Sequence, residues 1–409
     1  MKESMPINRR LSIGIISQFP FPTGLAATAR IIAYSLGLIH HNVAVDVILP
    51  FEILGEKFSS ESSGTYKKIN YYYTYARSKP RYKLLRIIEL MLLIRKFSTY
   101  KYAIRFLRIR NKVQPYTHIF VTSDYILPMI VFSGIAKRMG VRAIFVSDEY
   151  PEPIRRKLKD RVPMWKEAAY RTILKRFDAY VFISDTLSIY YNRLCPKPTH
   201  IMQVITDVTR FSGITCDNEL SLKHYLCYMG NMELAKDNVD LIIKAFAMIS
   251  NEYPDIDLHL YGSPSNRTCE YLSRIINSMN LSERVFIKGR AEYEDVPKIL
   301  VNAHILLASQ PQTMRASGGF PTKLGEYLAS GKPSIITRVG ENDRYVKDGK
   351  HVYFVAPENI EAYADRISYI LNNYDTAMLV AHEGRKLIIE NYSQSANGLK
   401  LKQFIKSIV

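Results

Sequence analysis

The sequence predicts an α/β protein made of two doubly wound domains, and three observations carry this prediction. The chain has 409 residues, about twice the length of an ordinary single domain. Short apolar runs alternate with segments of helical apolar spacing, as in parallel sheets built from strand–helix–strand units. The alternation lapses near 208–221, where polar residues dominate, and then resumes. The lapse therefore predicts a boundary between two similar domains.

The individual elements follow this alternation in order. The first half is predicted to contain strands at 11–17, 43–49, 118–121, 142–146 and 179–183, with helices up to about 40, at 126–139, at 163–176 and from 185. The second half is predicted to contain strands at 225–229, 257–261, 284–288, 304–308, 334–337 and 352–355, with a helix of clear apolar spacing at 239–251. Ligands of such sheets bind beyond the carboxyl ends of the strands, so we expect a site in a cleft between the domains.

The charge of the chain is concentrated in one segment. The net charge is +18, and Arg77–Lys112 contains twelve Lys or Arg residues and one acid, Glu89. Such an excess indicates a polyanionic partner, either anionic lipid or nucleic acid. Within the segment, apolar side chains between Leu84 and Leu92 share one helical face, which favours docking on a membrane surface. The alternative is a helix packed on its domain with a solvated basic face.

The sequence predicts a cytoplasmic protein, with peripheral attachment to the inner face of the plasma membrane as a further expectation. No apolar run reaches the length of about 18 residues that a membrane span requires, and the first ten residues lack the apolar core of a signal peptide. Four cysteines without metal-ligand or paired spacing fit a reducing compartment.

The most informative motif is the stretch 319–337, which reads GFPTKLGEYLASGKPSIIT. A loop with Gly319 and Pro321 enters a predicted short helix that carries Glu326 and ends at Gly331. Free N–H groups at a helix start favour a phosphate, and a carboxylate nearby can accept hydrogen bonds from sugar hydroxyls. The motif therefore predicts a nucleotide or sugar-nucleotide site. The alternative is a purely structural connection, because a loop, a short helix and a strand separated by Gly and Pro are common in α/β proteins.

Three other loops follow predicted strands of the second half. The loop 230–236 combines Gly230, which permits close backbone approach, with Lys236, a flexible cation suited to a diphosphate. Gly262 lies in the next loop, and Gly289 and Arg290 lie in the third. For Lys236 and Arg290 the alternative is a solvated surface side chain.

An acidic loop in the first half, Ser147–Glu152, supplies the candidate acceptor-side residue. Asp148, Glu149 or Glu152 is a candidate to orient an acceptor hydroxyl or to act as general base. The alternative is a loop that caps the next helix. The histidines show no metal-ligand spacing, and there is no Asp-x-Asp of the type that holds a metal on a diphosphate. We therefore expect metal-independent chemistry in which Lys236 and loop N–H groups stabilise the leaving diphosphate.

These motifs, in this order, resemble glycosyltransferase family 4, whose members have the GT-B fold of two facing Rossmann-like domains. Gly230 to Lys236 resembles the family's strand–Gly–Arg–x4–Lys signature, with Asn231 at the arginine position. Val285–Gly289 resembles the strand that lines the base, and Pro22–Gly24 resembles the loop after the first strand. Val208 and Phe211 match the hinge. Glu326 matches the second glutamate of the family's paired-glutamate signature.

Two departures from the family pattern stand out. Gly318 occupies the position of the first glutamate, which in the family contacts the donor sugar. Asn231 removes one positive charge from the diphosphate site, and Arg315 is a candidate to restore it. Both departures leave the donor sugar and the base, UDP- or GDP-linked, open.

The resemblance implies a retaining glycosyltransferase that uses a nucleotide sugar, needs no cofactor, and acts by front-face displacement on a glycan or lipid-linked acceptor in cell-surface polysaccharide synthesis. It implies an acceptor domain at 1–207, a donor domain at 208–384 and a helix at 385–409 that returns to the first domain. The expected catalytic residues are Asp148 and Lys236. The expected donor-binding residues are Gly24, Gly230, Asn231, Lys236, Gly262, Gly289, Arg290, Gly319, Phe320, Pro321, Thr322, Lys323 and Glu326.

Two other functions stay open at this stage. Another GT-B activity, such as a sugar-nucleotide epimerase, would use the same donor site. A non-enzymatic nucleic-acid binder would explain the charge of +18. The second is disfavoured because the cations cluster in one helical segment without a nucleic-acid-binding motif, so we expect no nucleic-acid partner.

Overall fold

The computed structural model describes residues 10–24, 26–52, 63–75, 94–154, 161–216, 224–318 and 322–408. The chain forms two compact units. The first comprises Met1–Glu152, Arg161–Met202 and Gln394–Val409, and the second comprises Pro153–Asp160 and Gln203–Ser393. The main segment of the second unit, which starts at Gln203, thus begins a few residues before the predicted position 208. The predicted segment 385–409 is divided between the units, because its residues up to Ser393 cluster with the second one.

The first unit contains, within its described residues, a sheet of eight strands. They are β1 (Ser12–Ile16), β2 (Ala44–Glu52), β3 (Ser63–Tyr66), β4 (Ile69–Tyr75), β5 (His118–Val121), β6 (Arg142–Ser147), β7 (Ala179–Phe182) and β8 (Thr199–Ile201). Their spatial order is β3-β4-β2-β1-β5-β6-β7-β8. Every residue of β1 and β5 is buried, as expected for parallel strands covered on both faces.

Helices cover this sheet and alternate with its strands. They are α1 (Ala26–His40), α2 (Ile94–Val113), α3 (Ile126–Arg138), α4 (Met164–Leu174) and α5 (Asp185–Leu194). α2 packs on β2 and β4 and buries Ala103 and Leu107. The helical prediction for the basic segment is therefore confirmed from Ile94 onward. The predicted apolar face at 84–92 lies outside the described residues.

The hairpin of β3 and β4 was not predicted. It is the antiparallel pair of this sheet, and its turn places Lys67 and Lys68 at φ values of 47° and 71°. Two-residue hairpin turns of this kind usually carry Asn-Gly or Asp-Gly, because both positions need a positive φ. Because this turn has Lys67 and Lys68 at these positions instead of Asn-Gly or Asp-Gly, the sequence did not indicate a hairpin.

The second unit contains a six-stranded parallel sheet within its described residues. Its strands are β9 (His224–Met229), β10 (Ile256–Tyr261), β11 (Val285–Gly289), β12 (Ile305–Ala308), β13 (Ser334–Thr337) and β14 (Tyr353–Val355). Their order is β11-β10-β9-β12-β13-β14. Each predicted strand in both halves begins at or next to its predicted residue. The predicted class, α/β with two parallel-sheet domains, is confirmed.

The helices of the second unit lie between its strands and after them. They are α6 (Val239–Ile249), α7 (Asn266–Ser278), α8 (Val296–Asn302), α9 (Met314–Gly318), α10 (Thr322–Ser330), α11 (Asn342–Tyr345), α12 (Ile360–Asn372) and α13 (Tyr374–Leu387). α6 buries its apolar face, including Ile242 and Phe246, against strand residues such as Leu226, Leu258 and Ile305. Burial of each large apolar side chain contributes roughly 1.5–3 kcal/mol. The packing of α6 on the strands therefore stabilises the sheet whose edge carries the candidate site.

The last helix, α14 (Gln394–Ser407), belongs to the first unit and packs on α1. The two helices meet at Gly37 and Gly398. A β-carbon built on Gly37 would lie 1.9 Å from the carbonyl oxygen of Gln394, so this close approach requires glycine. Lys402 Nζ also donates to the His41 carbonyl at 2.7 Å. The chain thus returns to its first unit after completing the second sheet.

Candidate functional site

The candidate site lies at the carboxyl-terminal edge of the second sheet, where the strand order changes direction. β9 has β10 on one side and β12 on the other. In doubly wound sheets, loops diverge at such a switch point and leave room for a ligand. The loop 230–238 follows β9, and the segment that leads to α10 follows β12. Two motifs singled out in the sequence therefore arise at neighbouring strands.

Glu326 lies on α10, as predicted, but its carboxylate is engaged by a residue that the sequence did not single out. Arg210 Nη1 forms an ion pair with Glu326 Oε1, and a second guanidinium nitrogen donates to the carbonyl of Tyr293. The guanidinium also stacks on the Tyr293 ring at 3.6 Å from its centroid. The Arg210 side chain is 4% exposed and that of Glu326 is 26% exposed. Glu326 is therefore an oriented carboxylate that remains accessible.

Lys323, on the first turn of α10, is held by a second missed residue. Its Nζ donates to Asp237 Oδ1 at 2.6 Å, and it lies 4.5 Å from the centroid of the Tyr228 ring. The Asp237 side chain is 3% exposed and that of Lys323 is 16% exposed. Burial, followed by the charge of Asp237, raises the pKa of the Tyr228 hydroxyl above its usual range, so this hydroxyl stays protonated. Asp237 directly follows Lys236 in the chain and so links α10 to the loop after β9.

The loop after β9 is tied together by its own polar groups. Asn231 is exposed, and its Oδ1 accepts from the Glu233 N–H at 3.1 Å. Glu233 Oε1 pairs with Arg315 Nη1 at 3.3 Å. Arg315, suggested as a replacement for the missing arginine, therefore contacts this loop through its acidic residue. Lys236 is half-buried and its N–H donates to the Glu233 carbonyl at 2.7 Å.

The glycines of these loops have a packing role. A β-carbon on Gly262 would lie 2.1 Å from the carbonyl oxygen of Gly230, and Gly262 N–H donates to the Gly289 carbonyl at 2.8 Å. The loops after β9 and β10 and the last residue of β11 therefore touch one another through backbone. The prediction that these glycines serve a donor stays a prediction, since close loop packing alone accounts for Gly230 and Gly262.

The remaining predicted donor residues are placed as follows. Thr322 is the first residue of α10 and is half-buried, and Arg290 is exposed after β11. Gly319, Phe320 and Pro321 lie outside the described residues. Gly24 is half-buried in the loop before α1 of the first unit.

Asp148, the candidate acceptor-side residue, follows β6 in the first unit and forms an ion pair. Its Oδ1 lies 2.9 Å from Nε of Arg30, a buried residue of α1 that also donates to the Met202 carbonyl. Burial raises the pKa of the Asp148 carboxyl, and the charge of Arg30 acts against that rise. Ser147 Oγ donates to the Glu149 carbonyl at 3.0 Å. The arrangement fixes the direction of the Asp148 carboxylate, which suits a residue that orients a hydroxyl.

The described part of the chain contains neither a metal-binding cluster nor a membrane-spanning helix. No group of three or more His, Cys, Asp or Glu side chains is arranged to hold a metal ion there. No helix among the same residues has the length and apolar character needed to cross a membrane.

Comparisons with known proteins agree with this fold. Residues 218–387 match the family model described as "Glycosyl transferases group 1". A curated relative, the poly(ribitol-phosphate) alpha-N-acetylglucosaminyltransferase of Staphylococcus aureus, is 27% identical over 157 residues. That alignment covers 38% of this chain but only 30% of the relative. The chain thus spans about a third of that protein's length.

Solved structures match over nearly the full chain. Sucrose-phosphate synthase from Thermosynechococcus elongatus superimposes with a TM-score of 0.73 at 17% identity, covering 98% of this chain and 99% of that one. Anabaena HepE in complex with UDP-glucose gives a TM-score of 0.69 at 12% identity, covering 97% and 100%. These likenesses confirm the predicted GT-B fold. The matched domain and the named relative support a glycosyltransferase enzyme.

Proposed function

We propose that the protein is a glycosyltransferase that moves a sugar from a UDP- or GDP-linked donor to a glycan or lipid-linked acceptor. One observation carries the proposal: Lys236, Lys323 and Glu326 arise at the switch point of a sheet whose sequence matches a glycosyltransferase domain. A carboxylate beside cations, next to a helix start, has the chemistry needed to hold a ribose and a diphosphate.

Each donor-side residue has a distinct role in this proposal. Glu326 accepts hydrogen bonds from the ribose hydroxyls, and Arg210 keeps its carboxylate in place. Lys236 stabilises the charge that grows on the leaving diphosphate, which lowers the barrier only if the interaction is stronger in the transition state than in the ground state. No metal is required in this scheme, since the cations are supplied by the chain.

The proposed chemistry is a front-face displacement with retention. The bond between the anomeric carbon and the diphosphate oxygen breaks, and the acceptor oxygen forms a new bond to that carbon on the same face. The proton of the acceptor hydroxyl passes to the departing phosphate. Asp148, fixed by Arg30, orients the acceptor hydroxyl, which contributes through proximity and alignment.

We further propose that α2 brings the enzyme to an anionic membrane surface, where a lipid-linked acceptor would be found. Its exposed face carries Lys101, Arg105, Arg108 and Lys112 and the apolar side chains Tyr102, Ile109 and Val113. From Ile94 to Val113 the helix contains no acidic residue. Each cation near an anionic surface adds about 1 kcal/mol of attraction. The opposite face of α2, with Ala103 and Leu107, is buried against β2 and β4. The cations and apolar side chains of the exposed face can therefore contact a membrane while the first unit stays folded.

The test of the activity is product formation from a panel of UDP- and GDP-sugars, each offered with glycan and lipid-linked acceptors and followed by mass spectrometry. A glycosylated acceptor with retained anomeric configuration, formed equally well with a chelator present, is the expected result. Release of an epimerised nucleotide sugar without acceptor modification would favour an epimerase. Tight, salt-dependent binding to a random duplex without nucleotide-sugar binding would favour a nucleic-acid binder.

A further inference from the structure

The geometry points to Lys323 as the second cation of the diphosphate site, with Asp237 as its positioning residue. The inference rests on the proposed function and concerns the position at which this chain departs from the pattern it resembles. Asn231 stands where that pattern has an arginine. A site with one charge fewer would bind a diphosphate less well, unless a cation reaches the same place from elsewhere in the fold.

The position of Lys323 relative to Gly230 supports this assignment. A β-carbon built on Gly230 would lie 2.8 Å from Lys323 Nζ. The ammonium therefore lies directly against the backbone that precedes Asn231, although its own backbone belongs to α10. The lysine thus delivers its charge to the start of the loop after β9, next to the residue where the arginine is absent.

The surroundings of Lys323 hold its ammonium in one position. The 2.6 Å bond to Asp237 Oδ1 and the Tyr228 ring at 4.5 Å contact it from within the protein. An ammonium has three N–H donors, and Asp237 accepts one, so the group retains donors for phosphate oxygens. A lysine side chain normally loses much rotamer entropy when it is fixed. Here the side chain of Lys323 is already held by its contacts in the folded protein, so ligand binding costs little further rotamer entropy.

Asp237 acts through Lys323 in this arrangement. It is buried, and its N–H donates to the Glu233 carbonyl at 2.8 Å, so its backbone is fixed within the loop. A carboxylate beside a phosphate site would by itself repel the ligand. If its role is to hold the lysine, its neutralisation should weaken diphosphate binding. If it only adds a negative charge nearby, the same change should strengthen binding.

The experiment is calorimetric titration of UDP, UMP, GDP and GMP into the wild-type protein and three variants. Lys323→Met should lower affinity for the preferred diphosphate by about 10-fold or more, the factor that corresponds to a charge-assisted hydrogen bond. It should change monophosphate affinity by less than about 3-fold, a margin set well below one such bond. Asp237→Asn should weaken diphosphate binding in the same direction. The double variant should be no weaker than Lys323→Met alone, because both changes remove one interaction.

A rescue and a matched control sharpen the test. Adding Asn231→Arg to Lys323→Met should restore most of the lost diphosphate affinity, because the arginine returns the missing charge. The control is another Lys–Asp pair of the same unit, Lys244 and Asp240, whose Nζ–Oδ2 distance is 3.0 Å on α6. Lys244→Met should leave all four affinities unchanged.

The outcomes separate the inference from the proposed function. Wild-type protein that binds a diphosphate, together with a Lys323→Met variant that binds it equally well, would overturn the inference alone. Tighter binding by Asp237→Asn, additive losses in the double variant, or failure of the arginine rescue would also overturn it. Wild-type protein that binds neither UDP nor GDP would overturn the proposed function as well.

Discussion

Glu326→Gln is the most direct test of the donor site, because it removes a charge and keeps the shape of the side chain. The carboxylate is proposed to accept bonds from the ribose, and hydrogen bonds to a charged group contribute about 1.5–3 kcal/mol. Glutamine offers a neutral acceptor worth about 0.5–1.5 kcal/mol instead. The variant therefore loses the difference, about 1–1.5 kcal/mol, and should bind a nucleoside diphosphate about 5- to 13-fold more weakly. Glutamine is preferred to alanine because it still offers an acceptor to Arg210.

The ion pair with Arg210 sets the expected cost to stability. A fully buried pair costs about 3–5 kcal/mol when one partner is removed, whereas an exposed pair contributes about 0–1 kcal/mol. Arg210 is 4% exposed and Glu326 is 26% exposed, so the pair lies between these cases. With the glutamine acceptor retained, we expect a loss of about 1–2 kcal/mol in the free energy of unfolding, consistent with a neutral in place of a charged acceptor.

The assay compares a nucleoside diphosphate with its 2′,3′-dideoxy analogue by calorimetric titration. Wild-type protein should prefer the ribose form, and Glu326→Gln should lose most of that preference, because the hydroxyls then meet a weaker acceptor. Glu361→Gln, an exposed residue on α12, is the control and should keep the preference. If a folded Glu326→Gln variant discriminated between the two ligands as well as wild type does, the ribose assignment would be refuted.

Three further predictions concern other parts of the chain. Lys236→Ala should lower kcat by a factor of about 10² or more while nucleoside monophosphate affinity barely changes; wild-type turnover would show that Lys236 is a surface residue. Charge reversal of the exposed α2 cations Lys101, Arg105, Arg108 and Lys112 should release the protein from anionic vesicles in sedimentation, with nucleotide affinity intact, and wild-type binding should weaken as salt shortens the Debye length. Equal wild-type binding to neutral and anionic vesicles, or none to either, would count against membrane docking. Burial lowers the pKa of His118 to about 4, below its unfolded value of about 6.5. The unfolded state therefore binds the proton first, so stability is full above pH 6.5 and falls by about 3 kcal/mol towards pH 4; His118→Phe should flatten that part of the denaturation profile, and an unchanged slope would contradict the assignment.

The fold was largely predictable because it depends on local patterns. Buried parallel strands are short apolar runs, and α6 has helical spacing of its apolar residues, so both patterns can be recognised within a few residues. The hairpin turn at Lys67 and Lys68 was missed because its positive φ values are usually marked by glycine or asparagine. Lysine does not usually indicate a positive φ, so the turn could not be recognised from the sequence.

The candidate site was predictable only in part, because its contacts join distant segments. Glu326 and Lys236 lie in motifs that can be read locally. Arg210 reaches Glu326 from another part of the chain, and Asp237 reaches Lys323 in the same way. Arg210 lies within the hinge motif and Asp237 follows Lys236, so each was adjacent to a recognised signal. Their pairing is a property of the folded sheet edge, which spacing along one sequence does not encode.

The return of α14 to α1 has a consequence for biosynthesis. The first unit is assembled from segments on both sides of the second, and the glycine contact at Gly37 needs residues from 394 onward. A ribosome releases domains in chain order, and N-terminal domains generally fold first. Here the first domain must wait, with the surface of α1 uncovered, until the second has emerged. A chaperone that binds nascent chains should therefore contact α1 during this interval, and its dwell time should lengthen when codons before 394 are slowed.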